Sequence, residues 1–240
     1  MQADIDDILA PKAPTRRSYP GGKNGMGVYQ NIINNMPPHD VYIEPFVGGG
    51  AILKRKRPAE SNIVIDSDAE AIVALQGYCE VNSVRYMIGD GVQFLRDTKL
   101  NSRVLVYADP PYVRSTRSCQ RDLYKHEWTD SDHEAFLELI TSLPCMVMVS
   151  GYDSELYGRK LAGWHKITFT GMTHRGQKRT ECVWMNFPPP TALHDYRYLG
   201  DGFRERERIK RKSKRWAKKV AEMNELERQA VLSACRQFVE

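Results

Sequence analysis

Short apolar blocks recur along this chain, each closed by glycine or an acid, and stretches with helical spacing separate them. Val41–Ile43, Asn62–Asp66, Val84–Ile88, Val104–Ala108 and Met146–Ser150 read as strands. Helices are expected over Val28–Asn35, Ala69–Cys79, Gly91–Arg96 and His133–Leu143, and a further one after the glycine turn at Gly48–Gly50. In Val104–Ala108 the apolar positions are consecutive, as in a strand buried on both faces, so the pattern predicts an α/β fold with a mostly parallel sheet. Two more strands, Trp164–Phe169 and Glu181–Phe187, flank the basic segment GMTHRGQKRT and predict a terminal antiparallel hairpin. Pro188–Pro190 close a domain running over residues 15–190. Residues 1–14 read as a flexible leader and 200–240 as a basic, amphipathic helical extension.

Composition adds exclusions. Across 240 residues the hydrophobic fraction is 41%, enough for a core, yet no apolar run approaches the ~18 residues of a membrane span. The acids Asp4, Asp6 and Asp7 near the start argue against a signal peptide, and the size, basic tail and compactness suggest a bacterial or phage cytoplasmic protein. Five scattered cysteines without a CxxC pair suit reduced thiols, and no metal site is expected. Charge is unevenly placed. Arg204–Lys219 alone carries a net +8 against +5 for the whole chain, leaving −3 elsewhere, so the basic run is an attachment suited to phosphate contacts.

Candidate chemistry gathers where strands end. Asp109-Pro110-Pro111-Tyr112 follows Ala108 directly, and prolines without an N–H must leave the sheet there. A carboxylate and the Pro110 carbonyl can both accept from one exocyclic amino group, while Tyr112 offers a flat face for a base. Ser18–Met26 is a glycine-punctuated loop around Gly22 and Lys23, suited to a carboxylate or phosphate. The turn from Phe46 through Gly48 to Gly50 follows a strand, an arrangement that makes room for a nucleoside-bearing cofactor. Asp66 and Asp68 stand at the offset at which an acid meets ribose hydroxyls, and Asp68 is equally suited to capping a helix. Asp90 is a cofactor contact or a helix cap. Arg114, Arg117, Arg121, Tyr124 and Lys125 form a basic, aromatic-interleaved loop, and Arg175, Lys178 and Arg179 a basic hairpin loop, both suited to nucleic acid. Lys210, Arg211, Lys212, Lys214 and Arg215 on the extension suit it too. Its apolar face, with Trp216, Val220 and Met223, packs back on the domain, pairs with a second copy, or lies along DNA. His126 and His133 lack a partner set with ligand spacing and read as structural or nucleic-acid contacts.

Taken together, YPGGK (Tyr19–Lys23), EPFVGGG (Glu44–Gly50), Asp66, DPPY (Asp109–Tyr112) and ECVWMNFP resemble the Dam-type DNA adenine-N6 methyltransferases, in that family's order over roughly Ser18–Pro188. The resemblance implies a Rossmann-like, S-adenosylmethionine-dependent methyltransferase fold closed by an antiparallel hairpin, acting on double-stranded DNA with the target adenine flipped into the DPPY pocket. It places Tyr19 and Lys23 by the methionine part of the cofactor and Phe46, Gly48 and Gly50 around its body, with Gly22 and Glu44 of the same motifs as further cofactor contacts. Asp66 then meets the ribose, and Asp109, Pro110, Pro111 and Tyr112 carry the reaction.

One departure matters. Family members with a defined target carry a recognition domain before the DPPY strand, and here only about Asp97–Arg103 stands in that place. Short or relaxed specificity is therefore expected, with affinity drawn from phosphate contacts. A cytosine-N4 or RNA adenine methyltransferase of the same fold, and a DNA-binding relative without turnover, stay open as alternatives.

Overall fold

The computed structural model describes residues 22–76, 83–116, 127–172 and 178–238. Five parallel strands form first: β1 (Val41–Glu44), β2 (Ser61–Asp66), β3 (Val84–Ile88), β4 (Val104–Ala108) and β5 (Met146–Gly151). The hairpin β6 (His165–Met172) and β7 (Lys178–Met185) completes a seven-stranded sheet of order β3-β2-β1-β4-β5-β7-β6. β7 enters between β5 and β6 and runs antiparallel to both. This is a Rossmann-like α/β fold, and the strand order reverses between β1 and β4. At such a switch point the flanking loops diverge and leave a crevice at the carboxyl ends of the strands.

Alternation along the strands sorts the core. Ile43, Val106, Val147 and Trp184 lie in one cluster with Leu95, Phe136 and Ile140, whereas their neighbours Tyr42, Leu105, Met148 and Val183 are buried outside it. All five residues of β4 are buried, which explains its unbroken apolar run. Helix α1 (Val28–Ile33) precedes β1, and α2 (Ala69–Gln76), α3 (Gly91–Asp97), α4 (Asp130–Ser142) and α5 (Glu155–Lys160) lie between later strands. Their starts obey local rules. Asp90 accepts from Val92 and Gln93 N–H, and Thr129 from Asp132 N–H, in a capping box.

Several expectations need correcting. No helix follows the glycine turn; residues 51–55 form successive turns in which Lys54 N–H reaches Gly50 O but Arg55 N–H reaches Ile52 O. The buried Lys56, bonded to the Arg57 carbonyl and Asn62 Oδ1, and Pro58, which disfavours helical backbone at Arg57, draw the segment to β2 instead. Lys178 and Arg179, read as loop, are the first residues of β7. Helix α5 was not expected; Ser154 caps it.

The chain divides into two compact units, residues 1–195 and 196–240. The second holds α6 (Phe203–Glu222) and α7 (Glu225–Arg236), neither with a buried residue. No helix among the described residues is long and apolar enough to cross a membrane.

Helix α3 starts hard against β1: a Cβ on Gly91 would overlap the Pro45 carbonyl oxygen, whereas Gly89 faces open space. Gly91→Ala is expected to cost about 3 kcal/mol, and Gly89→Ala under about 1 kcal/mol, in urea unfolding.

Candidate active site

A cavity of about 490 Å³ opens at the carboxyl edge of the sheet. Its floor is the end of β1, with Glu44, Phe46, Gly48 and Gly49; Asp66 and Asp68 bound it after β2, Gly89, Asp90 and Val92 after β3, and Asp109 and Pro111 after β4. Gly22 and Lys23 enter from the preceding loop. Most of the expected cofactor residues thus share one space. Gly50 does not line it: at φ 64°, with Leu75 where a Cβ would stand, it serves the packing of α2. Tyr19 lies outside the described residues.

Backbone geometry explains the glycine turn. Gly48 adopts a left-handed φ of 47°, and its N–H donates to Asp66 Oδ2 at 2.8 Å, while Asp68 N–H donates to Asp66 Oδ1 at 2.9 Å. Asp66 therefore holds two loops of the cavity together as well as lining it. Asp68 and Asp90 also accept backbone N–H groups at the starts of α2 and α3.

An aromatic wall that sequence reasoning missed closes one side. Phe46, Trp128 and Phe136 meet edge to face, with centroids 5.3 Å (Phe46–Trp128), 5.6 Å (Phe46–Phe136) and 5.3 Å (Trp128–Phe136) apart, and all three line the cavity. Trp128 ends the basic, aromatic-interleaved stretch that the sequence assigns to nucleic acid, so its place in this wall was not expected.

The DPPY corner is the most tightly bonded part. Lys23 Nζ donates to both carboxylate oxygens of Asp109 at 2.7 Å and to the Tyr112 hydroxyl at 2.5 Å. Ser150, at the end of β5, donates to Asp109 Oδ1 at 2.8 Å, and Tyr107 meets Ser150 at 3.0 Å. The Tyr112 hydroxyl in turn donates to Glu181 Oε2 at 2.8 Å, on β7. Pro110 is buried and Pro111 half-buried. Tyr112 is only 6% exposed and packs edge-on to Tyr152, centroids 4.4 Å apart, so its ring is covered here rather than presented flat. Burial pushes the hydroxyls of Tyr107 and Tyr112 well above the ordinary tyrosine range, and Asp109 adds to both.

Beneath the cavity, Glu44 is 3% exposed and accepts from the Tyr42 hydroxyl at 2.9 Å. Burial raises it to about 8, with Asp109 contributing, and burial also lowers the nearby Lys56 to about 7. At neutral pH Glu44 is a neutral acid that a positively charged ligand group would ionise.

The remaining expected residues lie elsewhere. Arg114 is exposed on a single 3-10 turn, Arg114–Thr116, and Lys178 is exposed at the start of β7 with Arg179 half-buried beside it. Lys210, Arg211, Lys212, Lys214 and Arg215 are exposed on α6. Arg117, Arg121, Tyr124, Lys125 and Arg175, like His126, lie outside the described residues. His133 is fully buried, its Nδ1 3.2 Å from the Tyr157 hydroxyl, and plays a structural part. No group of three or more metal-ligating side chains occurs among the described residues.

No protein-family model matches the chain, and no curated protein matches it. Solved structures with similar folds include the N-methyltransferase NodS from Bradyrhizobium japonicum (10% identity, TM-score 0.47, 68% of this chain and 95% of that one). A dimethyladenosine transferase from Plasmodium falciparum (13%, TM-score 0.45, 69% and 62%) and spermidine synthase from Thermotoga maritima (15%, TM-score 0.44, 68% and 60%) are also similar. At such identities and TM-scores the reaction of each belongs to that protein alone.

The buried acid yields a pH test. Glu44 keeps its proton to about pH 8 when folded and loses it near 4.5 when unfolded, so the folded chain binds more protons between these values and loses stability as pH rises through them. Glu44→Gln removes that loss. Its stability relative to wild type, from urea melts at successive pH values, is expected to increase from pH 4.5 to 8 and to be level below that window.

Proposed function

We propose that this protein is an S-adenosylmethionine-dependent methyltransferase that modifies N6 of adenine in DNA, with short or relaxed sequence preference. The observation that carries the reading is Asp109, which belongs at once to the cofactor-sized cavity and to the proline-stiffened corner after β4. The residues present fit such a cofactor. The volume lies in the range of small-molecule sites, Gly48 leaves room for the body of the ligand, and the ring wall of Phe46, Trp128 and Phe136 suits an adenine. Asp66 and Asp68 suit ribose hydroxyls, and Glu44 suits an ammonium group.

When bound, S-adenosylmethionine supplies a methyl group already activated on a sulfonium. What this chain must supply is a better nucleophile. The N6 lone pair of adenine is delocalised into the ring, so the amino group reacts only when held in a pyramidal form. Asp109 and the Pro110 carbonyl, accepting its two N–H bonds, favour that form and orient the nitrogen. Ser150 fixes the carboxylate from behind. Lys23 now occupies the Asp109 oxygens, so an incoming amino group shares or displaces that ammonium.

Base access requires the nucleotide to leave the duplex, with Tyr112 and Tyr152 as its aromatic neighbours. Only residues 98–103 separate α3 from β4, too little chain for a groove-reading element, which supports relaxed recognition. Exposed cations on α6 suit the phosphate backbone, whose contacts carry affinity without sequence information.

Two experiments test the reading. Labelled S-adenosylmethionine and unmethylated duplex DNA, followed by nucleoside digestion, are expected to give label in N6-methyladenosine with wild type and a loss of at least ~100-fold with Asp109→Ala. Label in N4-methylcytidine, or in RNA only, would replace the substrate named here. Replacing Lys210, Arg211, Lys212, Lys214 and Arg215 by glutamine is expected to weaken DNA binding and to flatten its dependence on salt, the log–log slope falling by roughly one for every phosphate that is no longer neutralised. An unchanged slope removes α6 from the interface.

A further inference from the structure

The network around Asp109 extends past the residues that hold a substrate, and its far end has no part in the mechanism above. From Asp109 it passes to Lys23 (2.7 Å), to the Tyr112 hydroxyl (2.5 Å) and to Glu181 (2.8 Å). The first link joins the loop at 22–27 to the end of β4, and the last joins β4 to β7. Lys23 is 4% and Tyr112 6% exposed, and they lie between two partly exposed carboxylates, Asp109 at 17% and Glu181. Lys23 donates both to Asp109 and to the Tyr112 hydroxyl, and that hydroxyl donates to Glu181, so an unbroken chain of hydrogen bonds joins the reacting carboxylate to a second carboxylate on β7.

We infer that Glu181 receives, through Tyr112 and Lys23, the proton that methyl transfer releases from the substrate amino group. This rests on the proposed function. In the reaction the amino nitrogen forms its bond to the methyl carbon while the carbon–sulfur bond breaks and its electron pair stays on sulfur. The nitrogen is left with one hydrogen in excess. Asp109 takes that proton; the Tyr112 hydroxyl hydrogen passes to Glu181 as Lys23 gives one of its own to the Tyr112 oxygen, and the neutral amine so formed accepts the proton from Asp109. Asp109 is again a carboxylate, Lys23 again an ammonium, Tyr112 again a phenol, and Glu181 carries the proton to water. Charge and protons balance, and no further reactant is needed.

The residues suit these parts. Burial raises Glu181 above the usual carboxylate range, which suits it to take up a proton, while Lys23 and the Tyr112 hydroxyl oppose that rise and Asp109 supports it. Tyr152 stands near Glu181, with Arg179 acting on the same ring. Gly171 of β6 packs against the Glu181 side chain without charge.

Glu181→Gln separates the relay from a structural role, because the amide oxygen can still accept from Tyr112 but cannot take a proton. With labelled S-adenosylmethionine and duplex DNA, this variant is expected to lower kcat by about 100-fold while cofactor KM and DNA Kd stay within about twofold. The limb of kcat that rises with pH through Glu181 ionisation should vanish with it. Glu181→Asp, which keeps an acceptor, should recover part of kcat and the limb; formate added to Glu181→Ala should do the same. A glutamine variant with wild-type kcat and pH profile overturns the relay while leaving the methyltransferase reading intact. Equal losses in Gln and Asp variants, without rescue, also overturn it. If wild type itself places no label on adenine, the proposed function fails, and the relay fails with it.

Discussion

The contact on which the site depends is the ion pair between Lys23 and Asp109. A carboxylate at the end of a fully buried central strand has lost most of its water, and without a cation and hydrogen bonds the corner would cost several kcal/mol. Lys23 meets that need with a group that also reaches Tyr112, so one ammonium fixes the loop before α1, the corner after β4 and, through Tyr112, the start of β7. Breaking such a pair costs about 3–5 kcal/mol because the partner is left charged and buried. The same ammonium competes with whatever amino group the carboxylate is there to bind, and a site that tightens on its own lysine must loosen for its substrate.

The cavity and the corner are two outcomes of one topology. Because the strand order reverses between β1 and β4, Glu44 and Asp109 end adjacent strands yet feed loops that turn away from each other. The acids at the ends of β2 and β3 then complete the rim by satisfying backbone N–H groups: Asp66 ties the glycine turn, and Asp90 caps α3. Their carboxylates shape the space before any ligand arrives.

What could be read from the amino-acid sequence, and what could not, follows from the range of the interactions. The central strand was legible because burial on both faces leaves an unbroken apolar run from Val104 to Ala108, and the caps at Asp90 and Thr129 because their partners lie two or three residues away. Lys178 and Arg179 looked like loop because the outer half of β7 alternates exposed and half-buried positions. The contacts of Ser150 and Glu181 could not be read: they reach Asp109 and Tyr112 across 41 and 69 residues, and although Glu181 opens the ECVWMNFP motif nothing local marks its partner. Phe46 was found as part of a glycine motif, but the ring wall around it needs Trp128 and Phe136, brought in by α4.

The placement of β7 between β5 and β6 has a consequence for synthesis. β6 is made first yet pairs only with β7, so it has no place in the sheet until the following strand is available to sit beside β5. A nascent chain that has cleared the ribosome only as far as β6 holds five parallel strands with the β5 edge open and an unpartnered strand trailing from it, the sort of intermediate that associates with its own kind. Closure and the arrival of Glu181 are the same event.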